Sequence, residues 1–137
     1  KYDGNINPEL KNNFNYISYK SALEKYDIKK LKKKYKEKIK GYLNRIDILY
    51  NSTKELKSKP IFITNIGRDG YEKGIFIFNY SLMQHCQVMN YDCIDIAKKI
   101  NGKYLYWSSG AHTTKEGSEM IAYLIMKDLP AFLEEKK

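Results

Sequence analysis

The chain has 137 residues, 42% of them hydrophobic, and a formal net charge of +9. This length suits one compact domain over residues 1–137 and excludes a large two-domain enzyme. No apolar run approaches the ~20 residues that cross a bilayer, and the first ten residues have neither the basic start nor the apolar centre of a secretory signal. We therefore expect a soluble domain with no membrane span and no targeting segment, and the sequence leaves its cellular location open.

In chain order, the first strong pattern is an amphipathic helix. Apolar residues recur at spacings of three and four over Leu31–Leu56. The lysine run Lys29–Lys40 falls mainly on the outer face of this helix, where we expect it to be solvated. Among the 25 basic residues only Arg45 and Arg68 are arginines, although arginine dominates specific phosphate and base recognition. Nucleic-acid binding is therefore the least favoured function.

Strands and helices alternate over the rest of the chain. Pro60 ends the first helix, and IFITNI after it predicts a strand over Pro60–Ile66 that is buried on both faces. The loop GRDGYEKG leads to a helix over Phe78–Tyr91, and CIDIA is the next strand candidate. KYLYW is either an extended segment or a loop. A final helix has apolar residues at helical spacing, namely Met120, Ile121, Leu124, Ile125 and Leu129.

This alternation predicts an α/β fold with three layers and a parallel sheet. Two or three strands are too few for a parallel sheet that is covered on both faces. Either the chain is an incomplete, carboxyl-terminal part of a larger domain, which we favour, or another chain completes the sheet.

Two cysteines and one histidine are of residue types that often bind metals, but their sequence context favours a structural role. Cys86 and Cys93 lack metal-ligand spacing and a second cysteine pair, so we expect unpaired, small apolar residues. His85 lies next to the apolar side of its helix, which favours a partly buried structural histidine. The sequence therefore predicts no metal site and no cofactor.

His112 precedes the final helix in YWSSGAHTTKEGSEMIAYLIMKDL. Thr113 or Thr114 is a good helix cap, and Glu116 stands three residues after Thr113, as a capping box requires. His112 therefore lies in the loop just ahead of the positive end of the helix dipole. Taken alone, an isolated histidine at such a position is more often an ordinary loop residue than a catalytic one.

GAHTTKEGSEMIAYLIMKDL resembles the histidine block of the SGNH, or GDSL-like, hydrolases. In that block the catalytic histidine precedes a threonine or proline turn, an acidic residue, a glycine and a helix containing Ile-Ala. KPIFIT and IDIA occur in the order in which the family has a strand and a later segment, and YDGNIN resembles its glycine and asparagine block. The resemblance covers about residues 31–129, in short motifs.

The resemblance implies a flavodoxin-like, three-layer fold and a serine esterase that acts on a small-molecule or acetylated carbohydrate ester. His112 would be the general base, and Gly4 with Asn5 or Asn7 would hold the oxyanion. The asparagine stays open because strict alignment on Gly4 places Ile6 at its position. The family's GDS motif does not occur, so we expect the nucleophile upstream of Lys1.

Ser109 is the main departure from the family pattern. The family usually has an aspartate three residues before the histidine, where it orients the imidazole and stabilises its charged form. A serine hydroxyl at this position could orient His112 but could not supply the charge. A non-catalytic binding domain with the same fold is therefore the alternative to an esterase.

Overall fold

The computed structural model describes residues 15–65, 67–100, 106–107 and 112–133. These residues are mainly helical. The two strands are β1 (Ile61–Ile63) and β2 (Asp92–Ile94), and the helices are α1 (Tyr19–Lys25), α2 (Ile28–Lys34), α3 (Lys36–Glu55), α4 (Lys73–Met89), α5 (Ile96–Lys99), α6 (Lys115–Asp128) and α7 (Pro130–Leu133). Among the described helices, none is long and apolar enough to cross a membrane.

The prediction of a three-layer, flavodoxin-like parallel sheet is wrong for the described residues. β1 and β2 do pair in parallel, with Phe62 opposite Cys93, but each strand has only three residues. The predicted strand was to be buried on both faces, whereas Ile63 is exposed. A sheet of this size offers too little surface for helical layers on both faces.

Side-chain hydrogen bonds explain why β1 ends so early. The Thr64 hydroxyl bonds to Asp95, and the Asn79 side chain occupies both the N–H and the carbonyl of Asn65. Backbone groups bonded in this way are not available to continue a strand ladder. The apolar run after Pro60 therefore has strand composition, but β1 includes only three of the seven residues predicted.

The predicted first helix forms, but as two segments that meet at Tyr35. Asp27 caps α2 by accepting a hydrogen bond from the backbone N–H of Lys30 at 3.0 Å. Tyr35 has non-helical dihedral angles (φ −103°, ψ 15°) and separates α2 from α3. The inward residues of these segments include Leu31 and Ile46, which are buried.

α4 begins at Lys73, five residues before the predicted start at Phe78, and ends at Met89. Asn90 follows in the left-handed conformation (φ 55°, ψ 40°), which asparagine tolerates better than most residues at a helix end. α4 is the central helix of the described core. Its buried Phe76 and Ile77 pack with residues of α1 and α2, and its Leu82 packs with Ile46 of α3.

Cys86 and Cys93 form a disulfide, so the prediction of unpaired cysteines is wrong. The left-handed turn at Asn90 reverses the chain after α4 and brings the two Cα atoms within 6.3 Å. The bond links the last turn of α4 to β2. Closing a loop of this length stabilises the fold by about 2.5 kcal/mol in the chain-entropy description.

Candidate functional site

His112 lies at the amino-terminal approach to α6, and its side chain is exposed. The next residue, Thr113, forms an antiparallel bridge with Trp107. Thr114 is the N-cap of α6, because its side chain accepts a hydrogen bond from the backbone N–H of Gly117 at 3.1 Å. The predicted helix start is thus confirmed, with Thr114 as the cap and without the Thr113–Glu116 capping box.

The backbone on the carboxyl side of His112 is held against the Tyr106–Trp107 segment. The N–H of Thr114 donates to the carbonyl of Tyr106 at 2.9 Å. Thr113 Oγ1 lies 2.7 Å from Ser118 Oγ in the first turn of α6. The bridge, the cap and these bonds fix the direction in which the chain passes through His112.

Gly117 allows α6 to approach this segment closely. A Cβ atom at position 117 would lie 2.1 Å from the carbonyl oxygen of Tyr106, so no other residue fits without a shift of the backbone. Beneath this contact, Trp107 is only 1% exposed and belongs to an apolar cluster with Ile100 and Tyr106. Met120, Ile121 and Leu124 of α6 pack on that cluster.

The other residues predicted for the esterase site lie outside the described residues. They are Ser109, Gly4, Asn5 and Asn7. Their roles in the esterase site stay predictions.

A polar cluster at the carboxyl ends of β1 and β2 was missed in the sequence. Thr64 Oγ1 donates to Asp95 Oδ1 at 3.1 Å and accepts from the backbone N–H of Ala97 at 3.0 Å. Asp95 also caps α5, accepting from the N–H of Lys98 at 3.3 Å. The available signal was a hydroxyl and a carboxylate, one inside each of the two predicted strands.

Tyr71 lies close to this cluster and is almost fully buried. Burial is the main reason that its pKa is raised well above the usual value for tyrosine, and the negative charge of Asp95 raises the pKa further. The hydroxyl of Tyr71 makes no hydrogen bond of normal geometry with the described residues. The cluster therefore favours the neutral form of Tyr71.

His85 lies in a second polar group, between α3 and α4. Its Nε2 is 2.6 Å from Asp47 Oδ1, and the Tyr91 hydroxyl donates to the same oxygen at 3.0 Å. The side chain of His85 is 16% exposed, which agrees with the predicted partly buried structural histidine. Tyr91 in turn stacks on Tyr50 of α3, with ring centroids 3.9 Å apart. The group joins the two longest helices of the described chain.

Ser81, His85 and Asp47 line one cleft and are the three residue types of a serine-hydrolase triad. The described geometry does not make them one, because Ser81 Oγ is buried and makes no hydrogen bond to His85. The residues described also contain no group of three or more His, Cys, Asp or Glu side chains that could hold a metal ion.

Comparisons with known proteins identified no relative of this chain. No protein-family model matches the chain, and neither a search of curated proteins nor a search of solved structures found a match. The likeness to SGNH hydrolases therefore depends on the short motifs of this sequence.

Proposed function

We propose that this chain is part of an SGNH-like serine esterase, with His112 as its general base and a small-molecule or acetylated carbohydrate ester as its substrate. The support comes from the segment around His112 and not from the helical architecture. His112 is exposed, while the residues that follow it are held by the Thr113–Trp107 bridge and the Thr114 cap. A general base needs this combination of access to substrate and a restrained position.

Gly117 is the observation that carries the proposal. The family pattern has a glycine shortly after its catalytic histidine, and in this chain that glycine has a physical role. It lets α6 approach the Tyr106 carbonyl, to which Thr114 also bonds, and thereby sets where the loop with His112 leaves the helix. The glycine that matches the family pattern therefore has a packing role close to the histidine in this chain.

In the proposed reaction, His112 removes the proton from a serine hydroxyl as its oxygen attacks the ester carbonyl. The alcohol leaves with that proton, and water then releases the acyl group by the same route. Gly4 with Asn5 or Asn7 would donate hydrogen bonds to the oxyanion. The serine itself is proposed to lie in sequence upstream of Lys1.

Ser109 would take the place of the usual aspartate. Its hydroxyl can accept a hydrogen bond from the imidazole and so fix the ring orientation. It cannot stabilise the imidazolium by charge, which makes the proposed esterase a slow one compared with a complete triad.

The test is hydrolysis of 4-nitrophenyl acetate by the full-length protein and three variants. His112→Ala should lower kcat by at least about 100-fold, the usual contribution of a general base. His85→Gln is the matched control, because it replaces the other of the two histidines and keeps a hydrogen-bond donor for Asp47. It should retain the activity of the parent. Ser109→Asp should raise kcat.

Undiminished hydrolysis by His112→Ala would overturn the assignment of the base. Equal losses in His112→Ala and His85→Gln would mean that the assay reports folding, which the thermal unfolding midpoints of the variants would reveal independently.

The second candidate is a non-catalytic binding domain, and Ser109 is the observation that favours it. A domain that has lost catalysis no longer needs a carboxylate beside the histidine. Absence of hydrolysis in the parent and in Ser109→Asp, together with binding of an acetylated carbohydrate to both, would support this alternative over the esterase.

A further inference from the structure

A large cleft lies between α2, α3 and α4 and has a volume of about 1100 Å3. It belongs neither to the His112 loop nor to the cluster at the ends of the strands. Ten of its fourteen lining residues are polar or charged. Apolar atoms nevertheless contribute more of the lining surface than polar atoms do, as in most ligand pockets.

One side of the cleft is cationic. Lys36 and Lys40 lie one turn apart on α3, and Lys32 of α2 continues the same line. The Nζ of Lys32 donates to Gln84 Oε1 of α4 at 2.6 Å, so this ammonium group reaches across the cleft. Among the described residues, no carboxylate forms an ion pair with any of the three lysines.

This arrangement places like charges close together, and none of the three lysines forms an ion pair among the described residues. Ammonium groups one helical turn apart repel each other and destabilise the helix. The cleft also contains Glu37 and Asp47, but Asp47 is already bonded to His85 and Tyr91. An anion bound between the lysines would relieve their repulsion.

The opposite side of the cleft provides hydrogen-bonding groups with no partner in the described chain. Ser81 is 4% exposed, and its buried Oγ makes no hydrogen bond. His85 bonds to Asp47 through Nε2, so Nδ1 is the ring nitrogen that is left for a ligand. The side-chain amide of Gln87 completes this side, whereas Asn44 lies on α3 with two of the lysines. Hydroxyl, imidazole and amide groups are suited to bind the hydroxyl groups of a ligand.

We propose that this cleft binds an acidic carbohydrate, with the lysines on its sulfate, phosphate or carboxylate group and the α4 side chains on its hydroxyl groups. The lysine side of the cleft favours a ligand with an acid group. The unpaired polar atoms of the α4 side favour a ligand that carries hydroxyl groups over an apolar ligand. An apolar ligand would cover those polar atoms without bonding them, which is costly. This binding does not depend on hydrolysis at His112.

Titration calorimetry with the full-length protein tests the proposal. The probes are a sulfated disaccharide, the same disaccharide without sulfate, and inorganic sulfate. The sulfated sugar should bind the most tightly, since neither the neutral sugar nor the bare ion uses both sides of the cleft. A phosphorylated and a uronate-containing disaccharide then show which acid group is preferred.

Two double variants that lose the same charge distinguish binding in the cleft from non-specific electrostatic attraction to a basic protein. Lys36→Gln with Lys40→Gln removes two lysines of the cleft and should raise Kd for the sulfated sugar at least about tenfold, since at least one charged hydrogen bond is lost. Lys29→Gln with Lys33→Gln removes two exposed lysines of α2 that do not line the cleft, and Kd should change less than about twofold.

Ser81→Ala tests the other side of the cleft. It should weaken binding of the sulfated sugar and leave binding of inorganic sulfate unchanged, with the thermal unfolding midpoint showing that the variant is folded. The proposal is overturned if both lysine pairs have equal effects, or if inorganic sulfate binds as tightly as the sulfated sugar. It is also overturned if the neutral sugar matches the sulfated one.

Discussion

Gly117 in the first turn of α6 lies against the backbone carbonyl of Tyr106, at a distance that no Cβ atom can occupy. Gly117→Ala should therefore lower the free energy of unfolding by about 1–3 kcal/mol, the usual cost of overpacking. In the proposed esterase this substitution should also lower kcat, because the backbone between His112 and α6 would have to shift. Chemical denaturation and the ester assay measure the two effects.

Gly41→Ala is the control for this substitution. Gly41 lies inside α3, and its added Cβ would meet only the guanidinium of Arg45 at 3.6 Å, an ordinary contact. Since alanine is the better helix former by about 1 kcal/mol, this variant should be more stable than the parent. A Gly117→Ala protein as stable as the parent would show that the α6 contact is not close.

The disulfide gives a prediction about thiols and stability. Under non-reducing conditions the unfolded protein should contain no titratable thiol, because Cys86 and Cys93 are bonded. Replacing both by alanine should lower the free energy of unfolding by about 2.5 kcal/mol, through the greater freedom of the unfolded chain. Two titratable thiols in the parent, with the same unfolding curve before and after reduction, would contradict the bond.

Asn79 should be the most sensitive polar residue of α4. Its side chain is bonded to the N–H of Asn65 at 2.9 Å and to the carbonyl of Asn65 at 2.7 Å, and it is 3% exposed. Asn79→Ala leaves both backbone groups without these partners, which should cost about 2–3 kcal/mol in denaturant unfolding. Asn51→Ala, at an exposed position of α3, should cost almost nothing. If the two substitutions lowered the free energy of unfolding by similar amounts, the hydrogen bonds of Asn79 with Asn65 would not stabilise the fold as predicted.

Stability should fall in alkali, because burial raises the pKa of several tyrosines above the usual value of 10.0. They are Tyr16, Tyr19, Tyr26, Tyr42, Tyr71 and Tyr91. Above pH 10 the unfolded chain loses these protons while the folded chain keeps them, so the contribution present below pH 10 is lost as the pH rises further. Tyrosinate absorbance and unfolding should therefore change together.

Tyr71→Phe should reduce this alkaline loss, since it removes the tyrosine whose pKa is raised the most. Tyr123→Phe removes an exposed hydroxyl and should leave the pH dependence as it is in the parent. If Tyr71 titrates at its usual pH in the folded protein, the burial of its hydroxyl is disproved.

Local signals in the sequence predicted the helices better than the sheet. The start of α6 depends on Thr114 and its near neighbours, and the spacing of Leu31 and Ile46 already indicates their burial. β1 has the composition of a longer strand, but its end depends on Asn79 and Asp95, which are distant in sequence. The disulfide depends on the left-handed turn at Asn90, which no periodicity reveals. The fold class was wrong because alternation of elements does not determine strand length.

Of the candidate site, the sequence predicted the position of His112 ahead of a capped helix. It did not predict the contact of Gly117 with Tyr106. That contact is with backbone atoms of Tyr106, and no pattern of side chains in the sequence indicates it. The cleft between α2, α3 and α4 was also missed, since the lysine run was assigned mainly to a solvated face.

The interactions that hold β1 and β2 together are stronger at one end of the sheet than at the other, because of the Thr64 hydroxyl. At the carboxyl end, this one group connects β1 to Asp95 after β2 and to the first turn of α5. The amino end has the ion pair between Lys59 and Asp92, with Nζ and Oδ2 3.0 Å apart and the lysine half exposed, a kind of contact that contributes little. A force that pulls the strands apart should therefore unzip them from Ile61 towards Ile63. The residues beside the Thr64 and Asp95 pair would be the last to separate.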